Sequence, residues 1–80
     1  MEETLGKRIV FHRKRLGLTQ DALAELMGVT AQAVSKWESD SAIPELEKLI
    51  VMSRLFGVSL GELLGVESPE ESESEATRHE

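Results

Sequence analysis

The chain has no cysteine among its 80 residues, which excludes disulfides and thiolate metal sites. It has no apolar run approaching the length of a membrane-spanning helix. Its opening, Met1-Glu2-Glu3, is acidic where a secretory signal would be basic, so a soluble, cytoplasmic protein is the expectation. No alternating apolar pattern is long enough to require a strand. Enzyme signatures are also missing. No nucleophile stands beside a base, no glycine-rich loop could cradle a phosphate, and no histidines and carboxylates cluster at metal-ligand spacing. Neither catalysis nor a cofactor, metal or small-molecule site is therefore expected. Eighty residues allow one small domain, whose core is marginal without regular helix packing or a partner chain.

Helical periodicity dominates what is present. Thr4 to Leu16 reads as a first helix, with Leu5, Ile9, His12 and Leu16 on one stripe and Gly17 at its end. Val10 and Phe11 fall beside that stripe, either as a flank of the core or as a patch for a partner. His12 occupies an apolar register and is expected to pack rather than to bind a metal, since the other histidine, His79, lies in the tail.

From Gln20 to Glu38 the sequence QDALAELMGVTAQAVSKWE reads as an amphipathic helix, a turn at Gly28 and a second helix opening after Thr30, the layout of a helix-turn-helix. Ala24 is small where two helices must cross closely. Gly28 suits the positive φ of a helix end. Thr19 and Thr30 each precede a helix and can accept a bond from an amide near its start. Leu23, Met27, Val29, Val34 and Trp37 fall toward a common core, which places Trp37 there rather than against a base. The other face carries Ala31, Gln32, Ala33, Ser35 and Lys36. On pattern alone it is either a solvated face or one that reaches base edges in a major groove.

Ser39 to Pro44 reads as a loop, with Asp40 suited to a left-handed position and Pro44 to the first turn of the next helix. Glu45 to Phe56 is a fourth helix, with Leu46, Leu49, Met52, Ser53 and Phe56 as its buried stripe and Gly57 as its stop. Ser59 and Glu62 form a capping box that opens a short fifth helix through Leu64, closed by Gly65. The expected fold class is all-α, five short helices over residues 4–65. Residues 66–80, VESPEESESEATRHE, have too little apolar surface to offset their ordering entropy and are expected to be a disordered acidic tail or linker.

The formal charge of -6 argues at first against a nucleic-acid partner. Up to Gly65, however, eight Lys and Arg stand against nine Asp and Glu, while from Val66 a single Arg stands against six Glu. The tail holds most of the imbalance. Lys7, Arg8, Arg13, Lys14 and Arg15 cluster on the first helix, and a local positive face matters more to phosphates than the total.

LGKRI from Leu5, GLTQDALA, TAQAVSKWE and GVSLGELLG ending at Gly65 together resemble the DNA-binding domain of the lambda repressor and Cro type of phage and small bacterial regulators. The resemblance implies a five-helix lambda-repressor-like fold and a sequence-specific transcriptional regulator, in such families most often a repressor. It also implies a homodimer on double-stranded DNA, with half-sites about one helical turn apart. By the same resemblance Ala31, Gln32, Ala33, Ser35 and Lys36 face the groove: Gln32 can pair with adenine, Lys36 with guanine, and the alanines can meet thymine methyls. Arg13, Thr19, Gln20 and Thr30 are the implied phosphate contacts. Arg13 and Glu38 are the implied ion pair between the first helix and the end of the third, the alternative being two independent surface charges. Leu60, Glu62 and Leu63 are the implied dimer surface.

The loop after the third helix departs from that pattern. Ser39, Asp40, Ser41, Ala42 and Ile43 include no basic residue, which implies weak non-specific binding and a shallow salt slope. A rival reading keeps the scaffold as an antitoxin-like or adaptor module that holds a protein through Val10, Phe11 or the acidic tail. A third makes the acidic segment a linker to a sensing domain.

Overall fold

Three threonines and a serine set where four of the helices begin. The computed structural model describes residues 3–66, in which α1 (Leu5–Arg15), α2 (Gln20–Met27), α3 (Ala31–Glu38), α4 (Leu46–Phe56) and α5 (Leu60–Leu64) follow one another, with no strand among the described residues. Thr4 Oγ1 accepts from the Lys7 amide at 3.2 Å, Thr19 Oγ1 from Ala22 at 3.0 Å and Thr30 Oγ1 from Ala33 at 3.1 Å. Each satisfies a first-turn amide that has no partner within its helix. At α5 the capping box closes in both directions, Glu62 N to Ser59 Oγ at 2.9 Å and Ser59 N to Glu62 Oε1 at 3.0 Å. A helix of five residues is too short to persist alone, so α5 depends on this cap and on the burial of Leu63.

Between α2 and α3 the chain reverses at Gly28, whose φ is +72°. The amide of Val29 returns to the Ala24 carbonyl at 3.0 Å, and the left-handed residue aims the chain back toward the core. Ile9, Leu23, Val34, Met52 and Leu63 are fully buried, with Ala24, Met27, Trp37, Leu49 and Phe56 packed around them. Within this core α3 packs against both α1 and α2, while α5 packs against α1 and α4. The second helix of the turn is thus held from two sides.

The expected stripes hold in mid-helix and fail at helix ends. Leu16 is 43% exposed because α1 ends at Arg15 and Leu16 is its C-cap; Leu46 is 63% exposed as the first residue of α4, where no element covers it. Pro44 is buried but stands ahead of α4 instead of in its first turn, since Glu45 is extended at ψ 158° and is the residue from which the helix opens. Leu63, expected on an exposed side of α5, is fully buried and is not available as a dimer contact. It faces inward because α5 lies across α1 and α4. From Glu67 onward the expected acidic tail lies outside the described residues. Among the described residues no helix is long and apolar enough to cross a membrane.

The two leucines make a direct comparison. Leu63→Ala is expected to lower the unfolding free energy by about 2–5 kcal/mol, and Leu46→Ala by no more than about 0.5 kcal/mol, as read from denaturant titrations of the two variants.

Candidate nucleic-acid interface

α3 has two unlike faces. Val34 and Trp37 anchor it in the core, while Gln32, Ser35 and Lys36 project into solvent. Ala31 and Ala33 do not stand clear in the same way: both are half-buried against the core cluster. Ala31 lies three residues before Val34 and Ala33 four before Trp37, so each sits directly beside an inward residue. Thr30, Gln32, Ala33, Lys36, Trp37 and Ala42 line an open depression along this side of α3. Amide, hydroxyl and ammonium donors there border a small apolar floor, a mixture suited to the edge of a base pair.

The C-terminal end of α3 is fixed by Glu38. Arg13 donates to it twice, from Nε to Oε2 at 2.6 Å and from Nη2 to Oε1 at 3.1 Å, and its third nitrogen, Nη1, donates to the Leu18 carbonyl at 2.9 Å. Gln20 Nε2 adds a bond to Glu38 Oε1 at 2.9 Å. The two charged side chains are only 12% and 6% exposed. Desolvating two charges is tolerable when the pair is bidentate and further hydrogen bonds support it, as the Leu18 carbonyl and Gln20 do here. Three of the five guanidinium N–H groups of Arg13 are thus spent inside the molecule and its side chain is 12% exposed, so the ion pair and not a phosphate is its main partner.

The remaining phosphate candidates keep donors to offer. Thr19 and Thr30 are exposed and use their hydroxyl oxygens as acceptors for their caps, which leaves each hydroxyl hydrogen free to donate. Gln20 directs one N–H at Glu38, and its amide nitrogen carries a second. The positive face of α1 is smaller than its composition indicates. Besides Arg13, Arg15 Nη2 donates to the Phe56 carbonyl at 2.8 Å, and the Arg8 guanidinium lies so close to Gly65 that a Cβ there would fall 2.5 Å from its Nε. Lys7 and Lys14 are the exposed ammonium groups on this helix.

His12 packs as its register indicates. Its ring stacks on Phe56 at 5.2 Å and meets Phe11 edge-on at 5.1 Å, which leaves Phe11 itself 61% exposed. Arg15 Nη2 lies 3.1 Å from His12 Nδ1. A guanidinium can only donate, so in this contact Nδ1 is the acceptor. Burial lowers the His12 pKa from its ordinary value of 6.5, Arg15 and Arg8 lower it further, and Glu62 works in the opposite direction.

One contact of the α3 end has no local signal in sequence. Asp40, expected only as a left-handed residue, has φ +65° and also accepts from the Gly6 amide at 3.0 Å, across 34 residues of chain.

A helix held by its neighbours at a glycine turn, with polar side chains outward and capped amides at each start, defines a helix-turn-helix protein. The helix-turn-helix family profile matches residues 12–63, and the chain belongs to that family. It is 46% identical over 50 residues to the HTH-type transcriptional activator BcrR of Enterococcus faecalis, covering 62% of this chain and 24% of that protein. It is 32% identical over 78 residues to repressor protein C2 of Salmonella phage P22, covering 98% of this chain and 36% of that protein. The chain therefore spans about a quarter to a third of the length of these curated relatives. In three dimensions it resembles the P22 c2 repressor protein solved in complex with synthetic operator 9T, with TM-score 0.77 and 33% identity over 82% of this chain and 100% of that one. These relatives are transcriptional regulators, not enzymes.

Glu38→Gln leaves the Arg13 charge buried without its counterion and is expected to cost about 3–5 kcal/mol of stability. Arg13→Met with Glu38→Leu should cost less than the sum of the single changes, by calorimetry or denaturant titration. For His12 the unfolded chain binds a proton more readily than the folded one, so stability rises with pH. Its contribution is complete above 6.5 and is lost as pH falls through the lower folded value. Between about pH 7.5 and 5, thermal melts should show wild type losing stability that His12→Gln does not lose.

Proposed function

We propose that the chain is a sequence-specific DNA-binding transcriptional regulator that reads the major groove with α3 and binds as a homodimer to two half-sites. The observation that carries this reading is the exposure of Gln32, Ser35 and Lys36 on a helix whose other face is locked by Val34 and Trp37. Gln32 pairs with adenine N6 and N7, Lys36 donates to guanine O6 or N7, and Ser35 meets either kind of edge. Ala31 and Ala33, beside the inward stripe, offer methyl contacts at the margin of the groove. Thr19, Gln20 and Thr30 sit at helix N-termini, where hydroxyl, amide and dipole all favour a phosphate oxygen.

Repression is the proposed outcome of binding, supported by the match to a phage repressor over 98% of the chain. Residues 4–65 act as the DNA-binding unit, and the cytoplasm is its compartment. Of the dimer candidates on α5, Leu60 and Glu62 remain, both half-buried. A two-fold arrangement compensates for the unit's weak general attraction to DNA, since the loop from Ser39 to Ile43 has no basic residue.

Selection from a random duplex library tests the assignment. A palindromic consensus is expected, and Gln32→Ala and Lys36→Ala should each relax preference at one position per half-site by about 1–3 kcal/mol. The slope of log affinity against log salt should change by about 1 for Lys7→Ala or Lys14→Ala if that lysine meets a phosphate. Absence of any consensus, with binding indifferent to Gln32 and Lys36, sinks the regulator reading and leaves an adaptor that engages protein through exposed Phe11.

A further inference from the structure

Gly6 lies in the first turn of α1 yet is buried, and the cause is the end of α3. A Cβ placed on it would fall 2.5 Å from the Glu38 carbonyl oxygen, 2.7 Å from that of Trp37 and 2.8 Å from Asp40 Oδ1. No side chain fits at such distances without moving backbone. The Gly6 amide donates to Asp40 Oδ1 at 3.0 Å, and a carboxylate at this place also suits the partial positive charge at the start of a helix. Asp40 is the one non-glycine residue with positive φ among the described residues. That conformation carries a backbone cost, and here it brings the carboxylate onto the Gly6 amide.

We propose that Gly6 and Asp40 are positioning residues for base recognition, forming a second anchor on the C-terminal end of α3. The proposal rests on the reading of α3 as the groove-entering helix. The first anchor is the Arg13–Glu38 pair, which joins the same end of α3 to the later part of α1. Gly6 and Arg13 are about two helical turns apart along α1, or roughly 10 Å. Val34 and Trp37 hold α3 to the core, and polar anchors at two points separated along a rigid neighbour constrain its remaining tilt more tightly than one does. α3 is about 12 Å long, so a tilt of about 5° displaces its far end by about 1 Å. Gln32 lies at that far end, and contacts of this kind need placement to within about 0.5 Å. Neither Gly6 nor Asp40 touches DNA in this scheme; both act through the orientation of Gln32, Ser35 and Lys36.

The test compares Asp40→Gly with Asp40→Asn. Both suit the left-handed backbone and both remove one negative charge, so a general change in attraction to phosphates is common to the two. They differ in the acceptor, which Asn keeps in its side-chain carbonyl and Gly lacks. The measurement is the ratio of affinities for the consensus duplex selected by wild type and for its single-base variants. A smaller folded fraction lowers every affinity alike and leaves this ratio unchanged, whereas a tilted α3 alters it.

Asp40→Asn is expected to keep the wild-type ratio within about twofold. Asp40→Gly should lower it about fivefold or more, within the range of one weakened base contact, and Gly6→Ala, to the extent that it folds, should do the same. Equal ratios for Asp40→Gly and Asp40→Asn overturn the proposal. If wild type selects no consensus, the groove-reading assignment fails separately, and amide chemical shifts of DNA-free protein decide the anchor alone. Displacement of the α3 shifts in Asp40→Gly but not in Asp40→Asn upholds it, and the same shifts in both variants overturn it.

Discussion

The Glu38 carboxylate sits where three helices meet. It closes α3, accepts two bonds from Arg13 on α1 and takes a third from Gln20 at the start of α2. Only 6% of its side chain is exposed, so its lone pairs must be satisfied from within the molecule. Three helices can do that together only in a narrow set of relative positions. Arg13 extends the constraint by donating to the Leu18 carbonyl in the connection between α1 and α2. A buried pair of this kind contributes less to net stability than to geometry, because desolvation consumes much of the Coulombic gain. What it secures is the angle at which α3 leaves the body of the protein.

That angle matters because α3 is short and its two faces have different tasks. Val34 and Trp37 hold it to the core, and the adjoining side chains Gln32, Ser35 and Lys36 are left to solvent. The arrangement has an electrostatic consequence. Of the basic residues on α1, Arg8, Arg13 and Arg15 have their guanidinium groups turned onto other parts of the fold. The Arg13 charge is met by Glu38 inside the fold, Arg8 and Arg15 keep their charge with their guanidinium groups directed onto the body, and the loop after α3 adds no basic residue. In the proposed role, recognition by such a unit would rest on matched contacts and on a second copy more than on bulk attraction.

Much of the fold was legible in the sequence because its signals are local. Thr19, Thr30 and Ser59 announce helix starts through bonds to amides three residues on, and Gly28 announces a turn through its own backbone freedom; none needs knowledge of distant residues. The mid-helix positions Ile9, Leu23, Val34 and Met52 were legible for a related reason, since periodicity alone decides which side of a helix they occupy. The ends were not. Leu16, Leu46 and Leu63 depend on which neighbour covers them, and periodicity says nothing about neighbours. Within the candidate site, the outward set on α3 was legible except for the partial burial of Ala31 and Ala33. The joint of Gly6 with Asp40 was invisible, because a hydrogen bond spanning 34 residues leaves no spacing to read.

The residues by themselves therefore determined the helices, the glycine turn and the chemical character of the face α3 presents. These follow from capping, backbone preference and period, all of which act within a few residues. Tertiary structure alone decided which arginines stay available to a partner, which leucines on the outer helices are covered, and how the end of α3 is tied to both ends of α1. Those outcomes depend on the relative placement of whole helices, and that placement is set by the mutual satisfaction of buried groups such as Arg13, Gln20 and Glu38, which come together only once the chain has packed.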